Sequence, residues 1–289
     1  MRPVAIVTDS THYTPRELTA AAGVHEVSLY VSGEATGGSR RETEITDYDA
    51  FYASLRHAAA LPTTSQPSIG DFVAAYEPLV AGGSDVVSIH LAGGISGTVG
   101  AAAQAKKLLD ERVGHGRIAV VDARTACGGL GMVVMAAAAA ARAGRGLEDV
   151  VAHAQAAREA LEIWFCIDTL SYLQRGGRIG RAQAWLGGAL QVKPILSLEA
   201  EITPVERVRT SARAFERMVD YMRARRDAGA DGWVVQHIQA PERAAALIER
   251  GRELFGCEPL WVSEVGPVIG TYTGPGLIGV GGLPARMVR

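Results

Sequence analysis

Residues 85–122 read DVVSIHLAGGISGTVGAAAQAKKLLDERVGHGRIAVVD. Asp85–Leu91 is rich in β-branched residues and reads as a strand. A glycine turn follows, then an alanine-rich helix over Ser96–Arg112 and another strand at Arg117–Asp122. Strand, helix and strand in succession argue for α/β architecture with parallel strand pairs.

The same alternation extends in both directions. Pro3–Thr8 reads as a strand leading into Asp9-Ser10-Thr11. Thr14-Pro15-Arg16-Glu17 reads as a helix start, with Thr14 as N-cap, Pro15 in the first helical position and Glu17 closing a capping box. Thr46-Asp47-Tyr48-Asp49 and Ser68-Ile69-Gly70-Asp71 are two more starts. Helices are predicted over Gly129–Ala143 and Leu147–Leu161. The pattern then restarts, with strands at Ile163–Ile167, Val192–Leu198, Gly232–His237 and Pro259–Val265. Helices are predicted beside them at Arg181–Leu190, Ser211–Ala228 and Pro241–Phe255. This gives two α/β domains, residues 1–160 and 161–289.

The chain has 289 residues, 48% of them hydrophobic and 21% charged, enough to bury a sizeable core and too apolar for a disordered chain. Its net charge of −2 provides no general field for nucleic acid or anionic lipid heads. The apolar run Val4–Val7 is too short for a signal-peptide core. The longest nearly uncharged stretch, Gly128–Ala141, falls short of the ~20 residues that cross a bilayer. The expectation is a soluble, cytoplasmic protein without integral membrane association. Cys127, Cys166 and Cys257 are odd in number and far apart, which points to buried reduced thiols rather than disulfides or a zinc site.

Three hydroxyl-rich clusters sit before helices: Asp9-Ser10, Thr63-Thr64-Ser65-Gln66-Pro67-Ser68, and Ile95-Ser96-Gly97-Thr98. Ligands of open α/β sheets bind beyond the carboxyl ends of strands, where free N–H groups favour an anion. Thr64, Ser65, Ser96 and Thr98 could bond a carboxylate or phosphate; the plain alternative is ordinary helix capping. A second group, Gln174–Arg181, carries Arg175, Arg178 and Arg181 around Gly176-Gly177, and Arg207 and Arg209 face one way if extended. Guanidiniums suit paired recognition of oxyanions, or else form a solvated rim. A third group, Gly266–Gly276, is dense in glycine and proline, as a tight turn or a close backbone approach to a ligand requires.

Familiar enzyme signatures fail. Gly274-Pro275-Gly276-Leu277-Ile278-Gly279 matches GxGxxG but leaves too little chain for a βαβ unit. Gly94–Thr98 misses the GxSxG elbow at its last position. There is no GxxxxGK[ST] loop and no tight histidine spacing for a metal. His90 reads as a satisfied core histidine and His12 as solvent-exposed.

Taken together, Val7-Thr8-Asp9-Ser10, Pro62–Ser68, Ile95-Ser96-Gly97-Thr98, Gly176-Gly177-Arg178-Ile179, Lys193-Pro194-Ile195-Leu196 and Thr273-Gly274-Pro275-Gly276 resemble the DegV family of bacterial fatty-acid-binding proteins. The resemblance spans nearly the whole chain. It implies a two-domain α/β protein with a lipid site between or beside the domains. It also implies one buried long-chain fatty acid, such as palmitate, offered by its carboxylate to a separate ATP-binding kinase subunit that makes an acyl phosphate. On that resemblance the chain is a non-catalytic subunit with no cofactor of its own, ATP belonging to the partner. Thr64 and Ser96 would hold the carboxylate, and Ser65, Gly97 and Thr98 would line its turn. Asp9, Ser10, Thr63, Arg178, Tyr272, Thr273 and Gly274 would neighbour the head group or phosphate. Arg178, Arg207 and Arg209 would lie near the phosphate or meet the kinase.

Two departures stand out. Tyr272 replaces the family's usual His before Thr-Gly-Pro-Gly, exchanging a potential cation for a neutral phenol. Ala92 and Gly93 stand where the family often has serines. The alternatives are a lipid carrier or sensor without a kinase partner, and a hydrolase or phosphatase using the same anion site.

Overall fold

The computed structural model describes residues 2–186 and 192–289. The first half contains strands β1 (Val4–Asp9), β2 (Val24–Val27), β3 (Tyr30–Gly33), β4 (Gly38–Arg41), β5 (Thr63–Ser65), β6 (Asp85–His90) and β7 (Ile118–Asp122). Its helices are α1 (Arg16–Ala21), α2 (Tyr48–His57), α3 (Ile69–Ala81), α4 (Thr98–Val113), α5 (Cys127–Arg142) and α6 (Leu147–Ala160). The second half contains β8 (Glu162–Cys166), β9 (Lys193–Leu198), β10 (Ile202–Val208), β11 (Gly232–His237), β12 (Trp261–Glu264) and β13 (Ile278–Leu283). Its helices are α7 (Ser171–Arg175), α8 (Ser211–Asp227), α9 (Pro241–Phe255) and α10 (Pro267–Thr273).

The first sheet, ordered β2-β1-β6-β7, is wholly parallel. The second, β10-β9-β8-β13-β11-β12, is mixed: only β11 and β12 run parallel. The expected parallel pairs are found in the first sheet and at β11–β12, while β9 and β10, joined by three residues, can pair only antiparallel. A small antiparallel sheet, β4-β3-β5, completes the set.

Several helix starts carry the chemistry read from the sequence. Ser68 and Asp71 form a reciprocal capping box, and Asp47 caps α2 through the Ala50 N–H. Thr14 does not cap α1: the N-cap is Pro15, without a side-chain bond, and the buried Thr14 hydroxyl has no partner among the described residues. The segment 266–276 is a correction too, because α10 occupies its centre and only Gly274 and Gly276 take positive φ. Of the helix expected over Arg181–Leu190, residues 180–185 form a 3-10 helix, and 187–191 lie outside the described residues.

Helix α5 is apolar on every side and packs against strands of both large sheets, β1 and β6 on one and β11 and β13 on the other. Glycines permit this fit. A Cβ on Gly128 would lie 2.8 Å from Val234 Cγ2, and one on Gly131 would overlap the Thr14 hydroxyl. The main hydrophobic core is accordingly continuous between the halves, from Ile6 and Ile89 through Leu130 to Val234 and Leu277. Among the described residues no helix is long and apolar enough to cross a membrane.

Candidate functional site: a hydroxyl-lined recess over an apolar slot

Two turns meet at one recess. Strand β5 pairs antiparallel with β3, Thr64 opposite Val31, which fixes the first turn. Strand β6 ends at His90, and the chain turns through Leu91–Gly97 into α4. Thr98 N–H donates to Ser96 Oγ at 3.3 Å, and the two hydroxyls lie 2.8 Å apart. A Cβ on Gly97 would overlap the Gln66 side-chain amide, so glycine lets the second turn close on the first. Thr64, Ser65, Ser96 and Gly97 line the recess together with Leu91, Arg178, Ile269 and Tyr272.

The recess offers hydrogen-bond donors in pairs. Thr64 Oγ1 and the Tyr272 hydroxyl are 2.6 Å apart. In each hydroxyl pair one proton closes the internal bond and the other is free for an acceptor. The Arg178 guanidinium lies 4.8 Å from the Tyr272 ring centre and donates to Gly176 O at 2.8 Å. A cation on the ring face beside free hydroxyl donors suits an oxyanion.

Behind the recess lies an apolar slot sharing three wall residues with it: Ile95, Arg178 and Ile269. About 700 Å³ in and around the slot, counting the solvent at its mouth, is free of atoms. The walls include Ile163, Phe165, Leu198, Val234 and Leu277, with Gly128 and Gly129 from α5 and Gly279 and Gly281 from β13. A Cβ on Gly281 would lie 2.9 Å from Ile163 Cγ2. Gln236, a polar residue in the wall, is occupied: its Oε1 accepts Gly128 N–H and its Nε2 donates to Ser263 at 2.9 Å. Cys127 also lines the slot, and burial, with the Glu42 and Asp9 charges, pushes its thiol well above the usual range. A thiol held protonated is a poor nucleophile.

The remaining sequence candidates separate. Thr98 is fully buried behind Ser96. Thr273 is buried, lines the slot, and donates to Ile269 O. Gly274 ends α10 at φ 74° and leaves room for the Tyr172 ring. Thr63 lines a neighbouring open groove with Arg175 and Arg178. Arg207 stacks over Trp185 at 5.3 Å, Arg209 is exposed, and neither lines the recess or the slot.

Asp9 and Ser10 are not at the recess. Asp9 is fully buried and accepts from Thr11 N–H (3.1 Å), Thr11 Oγ1 (2.6 Å) and Leu91 N–H (2.9 Å), with His90 Nδ1 at 3.1 Å. These bonds and the His90 charge outweigh burial and hold its carboxyl below the usual value. His90 continues to Ser88 at 2.6 Å, and Tyr76 donates to Ser88 at 2.7 Å. Ser88, His90 and Asp9 thus have the connectivity of a catalytic triad, but all three are buried and none lines the recess or the slot. The relay pins the ends of β1 and β6. His12, expected in solvent, is buried, 2.8 Å from Glu26. Cys257 is exposed rather than buried.

One important residue was missed. Glu42, only 2% exposed, accepts from Ser10 Oγ (2.5 Å), Tyr13 OH (2.7 Å) and Val268 N–H (2.8 Å). It ties the first turn of α10, the helix carrying Tyr272, to the N-terminal segment. Burial outweighs these bonds and pushes its carboxyl up to about 7. Glu42 stands in no recognisable motif, so only the fold reveals it.

The family model described as "Uncharacterised protein, DegV family" matches residues 3–285. A DegV domain-containing protein of Streptomyces coelicolor is 40% identical over 284 residues, covering 96% of this chain and 98% of that protein. Two of the similar solved structures carry descriptions that bear on the site. One, described as showing fatty acid binding of a DegV family protein from Thermus thermophilus, has TM-score 0.86 and 35% identity, covering 98% of this chain and 99% of that one. The other, described as DegV, a fatty acid binding protein from Bacillus subtilis, has TM-score 0.86 and 33% identity, covering 98% and 100%.

Proposed function

This chain belongs to the DegV family, and from that premise we propose that it binds one long-chain fatty acid and presents the carboxylate to a separate ATP-dependent kinase subunit. The observation that carries the reading is the shared wall: the apolar slot meets the hydroxyl-lined recess at Ile95, Arg178 and Ile269. A ligand spanning both has a hydrocarbon tail and an acidic head. The fatty acids named for the Thermus thermophilus and Bacillus subtilis proteins support it.

Magnitudes divide the labour. A 16-carbon tail carries about 14 methylenes, each worth about 0.8 kcal/mol when buried, so the gross gain is on the order of 11 kcal/mol before losses of freedom. One head-group hydrogen bond contributes roughly 0.5–1.5 kcal/mol net. The slot sets affinity; Thr64, Ser96 and Tyr272 set where the carboxylate points. Arg178 draws the head group electrostatically and borders the open groove through which a kinase subunit reaches it. The chain's own role is to bind and orient, with ATP on the partner.

The test is reconstitution with a kinase subunit, ATP and palmitate. Acyl phosphate formed only when all components are present supports presentation. Bound palmitate without acyl phosphate supports the second reading, a carrier or sensor without a kinase, which the neutral Tyr272 favours.

A further inference from the structure

Helix α10 belongs to the second half of the chain, yet the first half holds it at both ends. Its N-cap, Gly266, offers no side-chain bond, and Pro267 has no N–H, so the first donors of the helix are Val268 N–H and Ile269 N–H. Val268 N–H donates to Glu42 Oε1 at 2.8 Å, and Ile269 N–H to the Tyr13 hydroxyl at 3.3 Å. That hydroxyl donates in turn to Glu42 Oε1 at 2.7 Å. At the other end, the Tyr272 and Thr64 hydroxyls share their 2.6 Å bond. A carboxylate from the first half thus supplies the cap that Gly266 lacks.

The approach is close. A Cβ on Gly266 would lie 2.6 Å from Tyr13 Cε1 and 3.0 Å from Glu42 Oε1, so glycine lets the segment reach the carboxylate. Tyr13 takes φ 45°, an angle a bulky residue rarely adopts, and its ring is buried. Glu42 is also fixed from behind: its Oε2 accepts from Ser10 Oγ, which itself accepts Leu29 N–H at 3.1 Å. Val268, Ile269 and Tyr272 stand at positions i, i+1 and i+4 on one side of α10, and all three line the recess. In a helix of seven residues, a shift at Val268 reaches Tyr272 one turn later.

We propose that Glu42, together with Tyr13, is a positioning residue for the carboxylate site: by capping α10 across the two halves, it sets where the Tyr272 hydroxyl meets Thr64. The proposal rests on the fatty-acid reading above. Glu42 lines neither the recess nor the slot, so it acts through the helix. Without its oxygen, the buried Val268 N–H and Tyr13 hydroxyl lose an acceptor, and α10 shifts to satisfy them.

The test is a double-mutant cycle read by calorimetric titration of the full chain with palmitate. Glu42→Leu should weaken binding about fivefold, within the worth of one hydrogen bond, and the conservative Glu42→Gln, which keeps an acceptor oxygen for Val268, should rescue it to within about twofold of the wild type. In the Tyr272→Phe background the hydroxyl is already gone, so Glu42→Leu should change affinity by less than about twofold. A loss of equal size in both backgrounds would give Glu42 a role in stability alone and overturn the proposal, as would unchanged affinity in Glu42→Leu. Should Glu42→Leu fail to fold, Tyr13→Phe keeps the ring, removes the bridging hydroxyl and goes through the same cycle with the same expectation. A wild type that takes up no palmitate overturns the fatty-acid reading and this inference with it. A wild type that binds, with variants that fail the cycle, overturns the positioning role alone.

Discussion

Thr64 and Tyr272 share a 2.6 Å hydrogen bond, and Ser96 and Thr98 share another of 2.8 Å, so each pair presents one remaining hydroxyl proton to the recess. Tyr272→Phe removes a donor and leaves the ring under Arg178. Palmitate affinity should fall about 2–10-fold, the worth of one hydrogen bond; an unchanged Kd by calorimetry would remove Tyr272 from the head-group site. Ser96→Ala should impair acyl-phosphate formation more than lipid binding, because orientation rather than burial is lost. Equal losses in both assays contradict that division. Glu42 makes a pH prediction. Its carboxyl is raised from about 4.5 to about 7 on folding, so the folded state binds the proton more tightly. That contribution to stability is fully present below pH 4.5 and is lost as pH rises through 7, by an amount on the order of 3 kcal/mol. Urea denaturation of the wild type against Glu42→Gln at pH 5 and pH 8 checks it: the wild type should lose stability relative to the variant as pH rises. A pH-independent difference would refute the assignment.

At the scale of elements, α10 joins the hydroxyl-lined recess to the core. Gly270 packs on the buried Tyr52, whose hydroxyl a Cβ would overlap, while that hydroxyl donates to Val265 O at 2.5 Å. Gly270→Ala should therefore cost about 1–3 kcal/mol by overpacking and weaken palmitate binding together with stability. Equilibrium denaturation showing no change would mean that α10 moves freely. The same helix shows why some elements escaped the sequence reading. Pro267, Gly270 and Gly274 announce a turn, yet the glycines serve close packing and the chain end of a helix. Strand β13 has three glycines in six residues, and β10 carries Pro204 at a register shift, so neither shows a strand's composition. Strand β4 is exposed throughout and has no apolar face to reveal it. The elements of the first sheet with strong periodicity, β1, β6, β7 and α4, were legible because local pattern and tertiary burial agree. The hydroxyl turns were legible for the same reason, whereas the slot walls come from α5, β8, β9, β11 and β13 and meet only after folding.

For the whole molecule, the glycines of β13 keep space open between the two halves. Gly279 lines the slot, and a Cβ there would make only an ordinary 3.5 Å contact with Phe165 Cβ. Gly279→Leu should fold, and its side chain should fill the slot and weaken palmitate binding at least tenfold; retained affinity with an intact fold would show that the tail lies elsewhere. The central claim is that one acyl chain is hidden in this slot while its acid end is held at the meeting of two hydroxyl-bearing turns. Native mass spectrometry of gently extracted protein tests it most directly. The account predicts one fatty acid per chain, released on denaturation and displaced by added palmitate. A slot that is empty, or filled by a nucleotide, and that takes up no palmitate would contradict it.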